Sequence, residues 1–490
     1  IVERGHGVDR TGVALEEQRP IYRLINGRFR AHGYDPGPAS GMEFVNGSVF
    51  SHLRNSGQKY GVIEIASDYL GQDGNNRYAF TVQAFLHYLR SLTPRGIISV
   101  PVDISEFNVY ALKLINTVIA ALSRYGVQDP QDHVIVYRSE WTCQILVSND
   151  RFSREDVASL KKYCNDRSFD TPYFPGIVPS AVTIWNDLPP ISFQKQTVNV
   201  SSAPQDALMN DLVRIFSGSR ASLDASNFFN LSPSTIDRPN FYSISRLSKL
   251  RAFLSRISII PQQEIGYLIN VVILAESLLL AAVVLLLPLV VVGKARVKHP
   301  FPSSLFFRLV FYFSALGLGF FFIELTLMTK FALFLQSATS SFGIILSGML
   351  VFSGLGSWYS SRFSDRPYQG LIRALPVIGV SLIFVAFALD PLIMALIGLP
   401  LYAKVPITVL IVAPISFAMG RPFPLGNRSI GEYSGFLVPW AWAINGAFSV
   451  VATPLANIVS TYSGWRVLFL AALLLYFSTI FTFPVRRKAF

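Results

Sequence analysis

Two hydropathy regimes meet near residue 265. Before it, apolar residues come in short alternating or amphipathic runs; after it they form long unbroken stretches. "GYLINVVILAESLLLAAVVLLLPLVVVG" (266–293) exceeds the roughly 20 apolar residues needed to cross a bilayer. Further stretches follow at about 305–329, 338–358, 370–389, 403–420, 436–460 and 465–484. They predict an all-α polytopic membrane domain of about seven helices over 266–490, with 391–402 as the region where the count can change. Prolines at 288, 376, 406, 414, 439 and 454 fall inside these stretches, which packed membrane helices tolerate.

The first 180 residues alternate strand and helix patterns. "TGVALEE" (11–17), "MEFV", "YGVIEIA" and "GIISVPV" read as strands, and "HVIVYRS" and "TCQILVS" as a strand pair. "PIYRLINGRF" (20–29), "VFSHLRNS", "AFTVQAFLHYLRSL" (79–92), "EFNVYALKLINTVIAALSRYG" (106–126) and "SREDVASLKKYCND" (153–166) carry helical spacing. The last begins with a serine cap followed by acids. Thr93-Pro94-Arg95-Gly96 should close the helix before it. This alternation predicts a mostly parallel, doubly wound, Rossmann-like α/β sheet over 1–180. Residues 181–265, rich in Ser, Asn and Pro, read as a connector with one helix near 205–217 and a basic juxtamembrane stretch.

Charge refines this picture. The formal net charge is +12. Much of it flanks apolar stretches, in "SRLSKLRAFLSR" (245–256), "KARVKH" (294–299), "SSRFSDR" (360–366) and "VRRK" (485–488). No nucleic-acid motif accompanies it, so a bilayer with anionic headgroups is the expected partner. Cys143 and Cys164 make no metal pattern, and no metal is expected. The chain opens on Ile1 and reads as a piece of a longer protein.

Several stretches together resemble a bacterial, membrane-fused branch of the spermidine synthase-like proteins. In the soluble part these are "GVALEEQRPIYRLINGRF", "NGSVFSHLRNSGQKYGVIEIA", "YAFTVQAFLHYLRSLTPRGIISV" and "FDTPYFPG". "FNLSPSTIDRPNFY" follows in the connector, then "GLGFFFIELTLMTKF", "SGLGS", "MGRPFPLG" and "VPWAWAINGAFSVV" in the membrane part. The resemblance implies a partial class I methyltransferase-type domain and a transferase using S-adenosylmethionine or its decarboxylated form on a small amine acceptor. It also implies a bacterial inner-membrane location.

Under that resemblance Glu16 takes the position that binds the cofactor ribose; otherwise Glu16 caps a loop or Glu17 takes that position. Ser48 falls where an adenine-binding acid is expected, but ordinary turn chemistry accounts for it first. The aminopropyl-transfer acids would fall on "ASDY" (66–69), where Ala66 and Tyr69 stand. Asp68 is the remaining catalytic candidate, or a loop cap. True aminopropyl transfer is therefore not expected. The glycine-rich turn has only Gly5 and Gly7 available and is expected to be missing.

In the membrane part Glu324 and Glu276 are the ionisable candidates, each either a structural tie or a functional group. Asn445 is the first partner proposed for Glu324, and Lys330 should snorkel to the interface. The prolines of "MGRPFPLG" should stop a helix. With seven crossings, the basic loops lie on the face opposite residues 1–265, whereas an S-adenosyl cofactor requires those residues to be cytoplasmic. Either the count is off by one near 391–402, as an eighth crossing there would make it, or residues 1–265 are external and cannot use that cofactor. Oligomeric state is not indicated.

Overall fold

A computed structural model of the chain describes residues 2–3, 12–16, 42–46, 49–65, 78–105, 107–190, 204–255, 264–292, 303–432, 435 and 437–484. Two compact units divide it, 1–265 and 266–490.

The first unit holds an eight-stranded sheet: β1 (Val2–Glu3), β2 (Gly12–Glu16), β3 (Met42–Asn46), β4 (Tyr60–Glu64), β5 (Leu92–Asp103), β6 (Val134–Arg138), β7 (Thr142–Ser148) and β8 (Asp170–Tyr173). Their order is β3-β2-β1-β4-β5-β7-β6-β8. The sheet is mixed, which corrects the expectation of a mostly parallel, doubly wound one. Only β2–β3 and β4–β5 pair in parallel; the other five pairings are antiparallel. The cause is connection length. β6 and β7 are joined by residues 139–141, too few for the crossover that parallel strands require. β5 and β8 then flank that hairpin, both antiparallel to it.

Helices α1 (Val49–Ser56), α2 (Val82–Ser91), α3 (Val109–Tyr125) and α4 (Arg154–Asn165) alternate with the strands. The α4 serine cap forms as a full capping box between Ser153 and Asp156. Gly126 ends α3 at φ 107°, a left-handed conformation that favours glycine. The expected turn at 93–96 does not form. β5 begins at Leu92, directly after α2, and Arg95 there adopts φ 61°.

The described part of the connector is folded. α5 (Ala207–Arg214), α6 (Arg220–Ser226) and α7 (Leu250–Leu254) lie in it. Its middle docks on α3, which is buried almost all round and so presents three buried polar groups, Lys113, Asn116 and Thr117. Lys113 Nζ donates to the carbonyls of Asn240 (3.1 Å) and Ser243 (2.7 Å). Asn116 Nδ2 donates to Leu231 O (2.9 Å), and Thr117 Oγ1 accepts from Ser234 N–H (3.1 Å). Phe241 stacks on Phe80, with ring centroids 4.9 Å apart.

The second unit is helical: α8 (Ile265–Val292), α9 (Ser303–Leu335), α10 (Ala338–Ser360), α11 (Pro367–Phe387), α12 (Leu389–Leu396), α13 (Leu401–Met419), α14 (Pro422–Gly431), α15 (Leu437–Ser463) and α16 (Trp465–Thr482). Seven segments of these are long and apolar enough to cross a membrane. α12 is not among them. Its eight residues span roughly 12 Å at 1.5 Å each, against about 30 Å of hydrocarbon. The eighth crossing therefore does not form in the described 389–401 region.

α9 packs against α10, α15 and α16. α10 and α13 approach until backbones touch: a Cβ on Gly356 would collide with the Phe417 carbonyl, and one on Gly420 with that of Ser353. "MGRPFPLG" does not simply end a helix. Pro422 starts α14 in its first turn, where a missing N–H costs nothing, and Tyr312 Oη donates to Pro422 O at 2.7 Å.

Candidate functional site

In the soluble unit, β2, β3, β4 and β5 run in one direction, so their carboxyl ends share one edge of the sheet. Glu16 ends β2 and Asn46 ends β3, and the two are direct register partners. Adjacent strands lie about 4.8 Å apart, so one ligand can span both positions. Glu64 ends β4 on the same edge, exposed, and pairs in register with Ser99. Gln144 Nε2 donates to Ser99 Oγ at 2.5 Å. Ser48, Ala66, Asp68 and Tyr69 lie outside the described residues, as do Gly5, Gly7, Glu17 and the helix expected over 20–29.

A buried charge network sits at the β6–β8 edge. The Arg138 side chain is fully buried. Its Nε donates to Asp206 Oδ2 at 3.0 Å, Nη1 stands 3.4 Å from Asp170 Oδ2, and Nη2 donates to Asn186 O at 2.6 Å. Asp170 also accepts from the N–H groups of Trp185 (2.6 Å) and Asn186 (3.1 Å) and from Asn186 Nδ2 (2.8 Å). Asp206 caps α5 through Met209 N–H (3.0 Å). Burial raises the Asp206 pKa, with Arg138 opposing. Each charge here is matched by protein partners, so the network ties the connector to the sheet and leaves no group for a ligand. Sequence reading missed it because the partners of Arg138 lie 32 to 68 residues from it along the chain.

Lys113 and Glu264 form a second buried set. Burial pulls the Lys113 ammonium down to about 7, with Glu264 opposing. Burial likewise raises the Glu264 carboxyl, which accepts from Ile244 N–H (2.5 Å) and Ser245 N–H (3.2 Å). Both cysteines are buried free thiols; burial raises Cys143 and lifts Cys164 to about 11, far from a reactive thiolate. Among the described residues no group of three or more His, Cys, Asp or Glu could hold a metal ion.

In the helical unit, Glu324 is 6% exposed inside the bundle and meets no hydrogen-bond or ionic partner among the described residues. The proposed tie to Asn445 does not form, because Asn445 Nδ2 donates instead to Phe313 O at 3.2 Å. Asn445 is a packing tie between α9 and α15, beside Gly317. Glu276 stands on the exposed face of α8 among Val272, Ile273, Leu279 and Leu280. Lys330 does not snorkel: it is 3% exposed and ion-pairs with Asp390 at 2.8 Å. Sequence reading also missed Lys404, 2% exposed in the first turn of α13. The available signal was a lysine standing alone in an apolar run.

No family model, no curated protein and no solved structure matches the chain.

Proposed function

We propose that this is a membrane-integrated homologue of S-adenosylmethionine-dependent transferases whose soluble sheet binds an S-adenosyl cofactor at the β2–β3 edge and does not carry out aminopropyl transfer. One observation carries the reading. The first five strands follow the order β3-β2-β1-β4-β5, that of doubly wound nucleotide-binding sheets, whose ligands sit at the carboxyl ends of the strands. Glu16 stands at the end of β2, the position of the ribose-binding acid in such sheets, and Asn46 is its register partner. The site is a weak one: β1 is two residues long and antiparallel to its neighbours, so it does not deliver a strand end to that edge. The absence of an acid at residue 66 supports the exclusion of aminopropyl transfer, which needs a base within about 3 Å of the amine.

Photo-crosslinking with a labelled S-adenosylmethionine analogue tests this. Label is expected in peptides containing 12–16 or 42–46, and label confined to the helical unit would overturn it. With putrescine and decarboxylated S-adenosylmethionine the chain should form no spermidine above a protein-free control.

A second reading, a carrier or ligand-binding membrane protein with a chemically inactive soluble unit, is favoured by Glu324, a buried carboxyl without a described partner. Under it, S-adenosyl ligands label neither strand end.

A further inference from the structure

Alternating crossings bring the links 336–337, 388–400 and 464 to one end of the helical unit. Three contacts tie that end together. Lys330 pairs with Asp390, Lys404 Nζ lies 5.4 Å from the centroid of the Phe334 ring, and Arg466 Nε donates to Ala386 O at 2.9 Å. The charges there do not balance. Lys330, Lys404 and Arg466 bring three positive charges and Asp390 one negative charge; its Oδ2 accepts from Lys330, and its Oδ1 lies 2.8 Å from the same ammonium without a hydrogen bond. Residues 266–490 contain only four other carboxylates, Glu276, Glu324, Asp365 and Glu432. Asp365 and Glu432 belong to the opposite end, and Glu276 and Glu324 lie 11 residues inside their helices, about 16 Å from this end at 1.5 Å per residue.

Among the described residues Lys404 therefore has no carboxylate to pair with. Its Nζ makes no hydrogen bond or ion pair with any described residue, although the residue is 98% buried. A buried ammonium without an acceptor is costly. Its place raises the cost further, because the N-terminal turn of a helix already carries positive potential, and Pro400 supplies no side-chain cap to α13. Two more buried donors at this end lack acceptors, Gln336 Nε2 and Trp465 Nε1. Gln336 stands two residues beyond Phe334 and is held at φ 56°, a strained conformation for a residue other than glycine. One acceptor, Asp390 Oδ1, is also unmatched here, but it already faces Lys330; the two unmatched donors, the excess positive charge and the helix N-terminus favour an anion.

We propose that Lys404 and Gln336 form an anion-binding site at this end of the helical unit, taking a carboxylate or phosphate group from a small solute or a lipid headgroup. The Phe334 ring holds the Lys404 ammonium from one side, leaving its remaining donors for the anion. Asp390 keeps Lys330 engaged, so Lys404 sets the site's affinity. The site is independent of the S-adenosyl reading of the soluble unit.

The test uses the full chain, in neutral detergent with inorganic phosphate or acetate at constant ionic strength set by chloride, and in phosphatidylcholine nanodiscs with or without phosphatidylglycerol. Thermal midpoints are read in each. At least one anion should raise the wild-type midpoint, with an apparent affinity at least tenfold weaker in Lys404→Met and several-fold weaker in Gln336→Leu. A response to free phosphate or acetate identifies a solute site; a response to phosphatidylglycerol alone identifies a headgroup site. Without anions, Lys404→Met should melt above wild type, since it removes an uncompensated charge. Should that variant fail to fold, Gln336→Leu and Lys404→Gln carry the comparison. No midpoint shift with any of these anions, or a full shift retained in the variants, would overturn the proposal.

Discussion

Replacing Arg138 by Met should be among the most damaging single changes in the soluble unit. The methionine keeps part of the apolar stem but removes the donors to Asp206, Asp170 and Asn186 O. Removing one partner from a buried ionic network typically costs 3–5 kcal/mol, roughly, because the remaining charge is left unpaired. The loss should fall mainly on Asp206. Asp170 keeps three N–H donors after the change, whereas Asp206 keeps only the Met209 cap. Arg138→Met with Asp206→Asn should thus recover about half of the deficit, since asparagine caps a helix as well as aspartate does. Acid should recover part of it too. The folded-state pKa of Asp206 is raised by burial and held back by Arg138; without the arginine it rises further. A carboxyl with a raised folded-state pKa contributes stability below its unfolded pKa and loses it as pH rises through the folded value. The Arg138→Met deficit should therefore shrink as pH falls from 8 towards 4. Hydrogen exchange of the β6 and β8 amides in the full chain in detergent measures it. A deficit below about 1 kcal/mol, or one independent of pH, would refute a structural role for this network.

Lys113 makes a prediction of opposite sign. Its folded pKa lies near 7, below the value in an unfolded chain, so the unfolded state binds the extra proton between those values. Protection of α3 amides should then grow from pH 7 to 9 by up to about 1.4 kcal/mol per pH unit, and Lys113→Met should abolish that slope. Glu324→Leu should raise the stability of the helical unit by about 1–3 kcal/mol, the cost of a buried unpaired polar group; a lower thermal midpoint than for Glu324→Gln would reveal a hydrogen bond to the carboxyl. Crossing by all seven apolar helices would put residue 150 and the chain that follows α16 on opposite membrane faces. Single engineered cysteines at 150 and 488, probed with an impermeant maleimide in right-side-out vesicles, should label one without the other, and labelling of both would require an even number of crossings.

Local signals were the most legible in the sequence. The Ser153 cap, the Gly126 stop and the seven apolar segments each depend on residues close in sequence, and each forms. Strand direction was less legible, because it depends on the link at 139–141 and not on the strands it joins. The prolines at 422 and 424 looked like a stop signal, but proline also opens helices, and here it does. Pairings across the membrane unit were out of reach. Lys330 finds Asp390 sixty residues away, and Asn445 turns to a backbone carbonyl that no side-chain pattern announces. Of the cofactor-site candidates, the placement of Glu16 at a strand end was legible, while its register with Asn46 needed the sheet.

Binding of S-adenosylmethionine to the full chain, measured by equilibrium dialysis for wild type and Glu16→Gln, tests the central claim most directly. The account predicts saturable binding weaker than about 1 μM, or −8 kcal/mol, and at least tenfold weaker still in Glu16→Gln, because an amide is a poorer acceptor for two ribose hydroxyls than a carboxylate. Binding that never saturates, or that Glu16→Gln leaves unchanged, would contradict it.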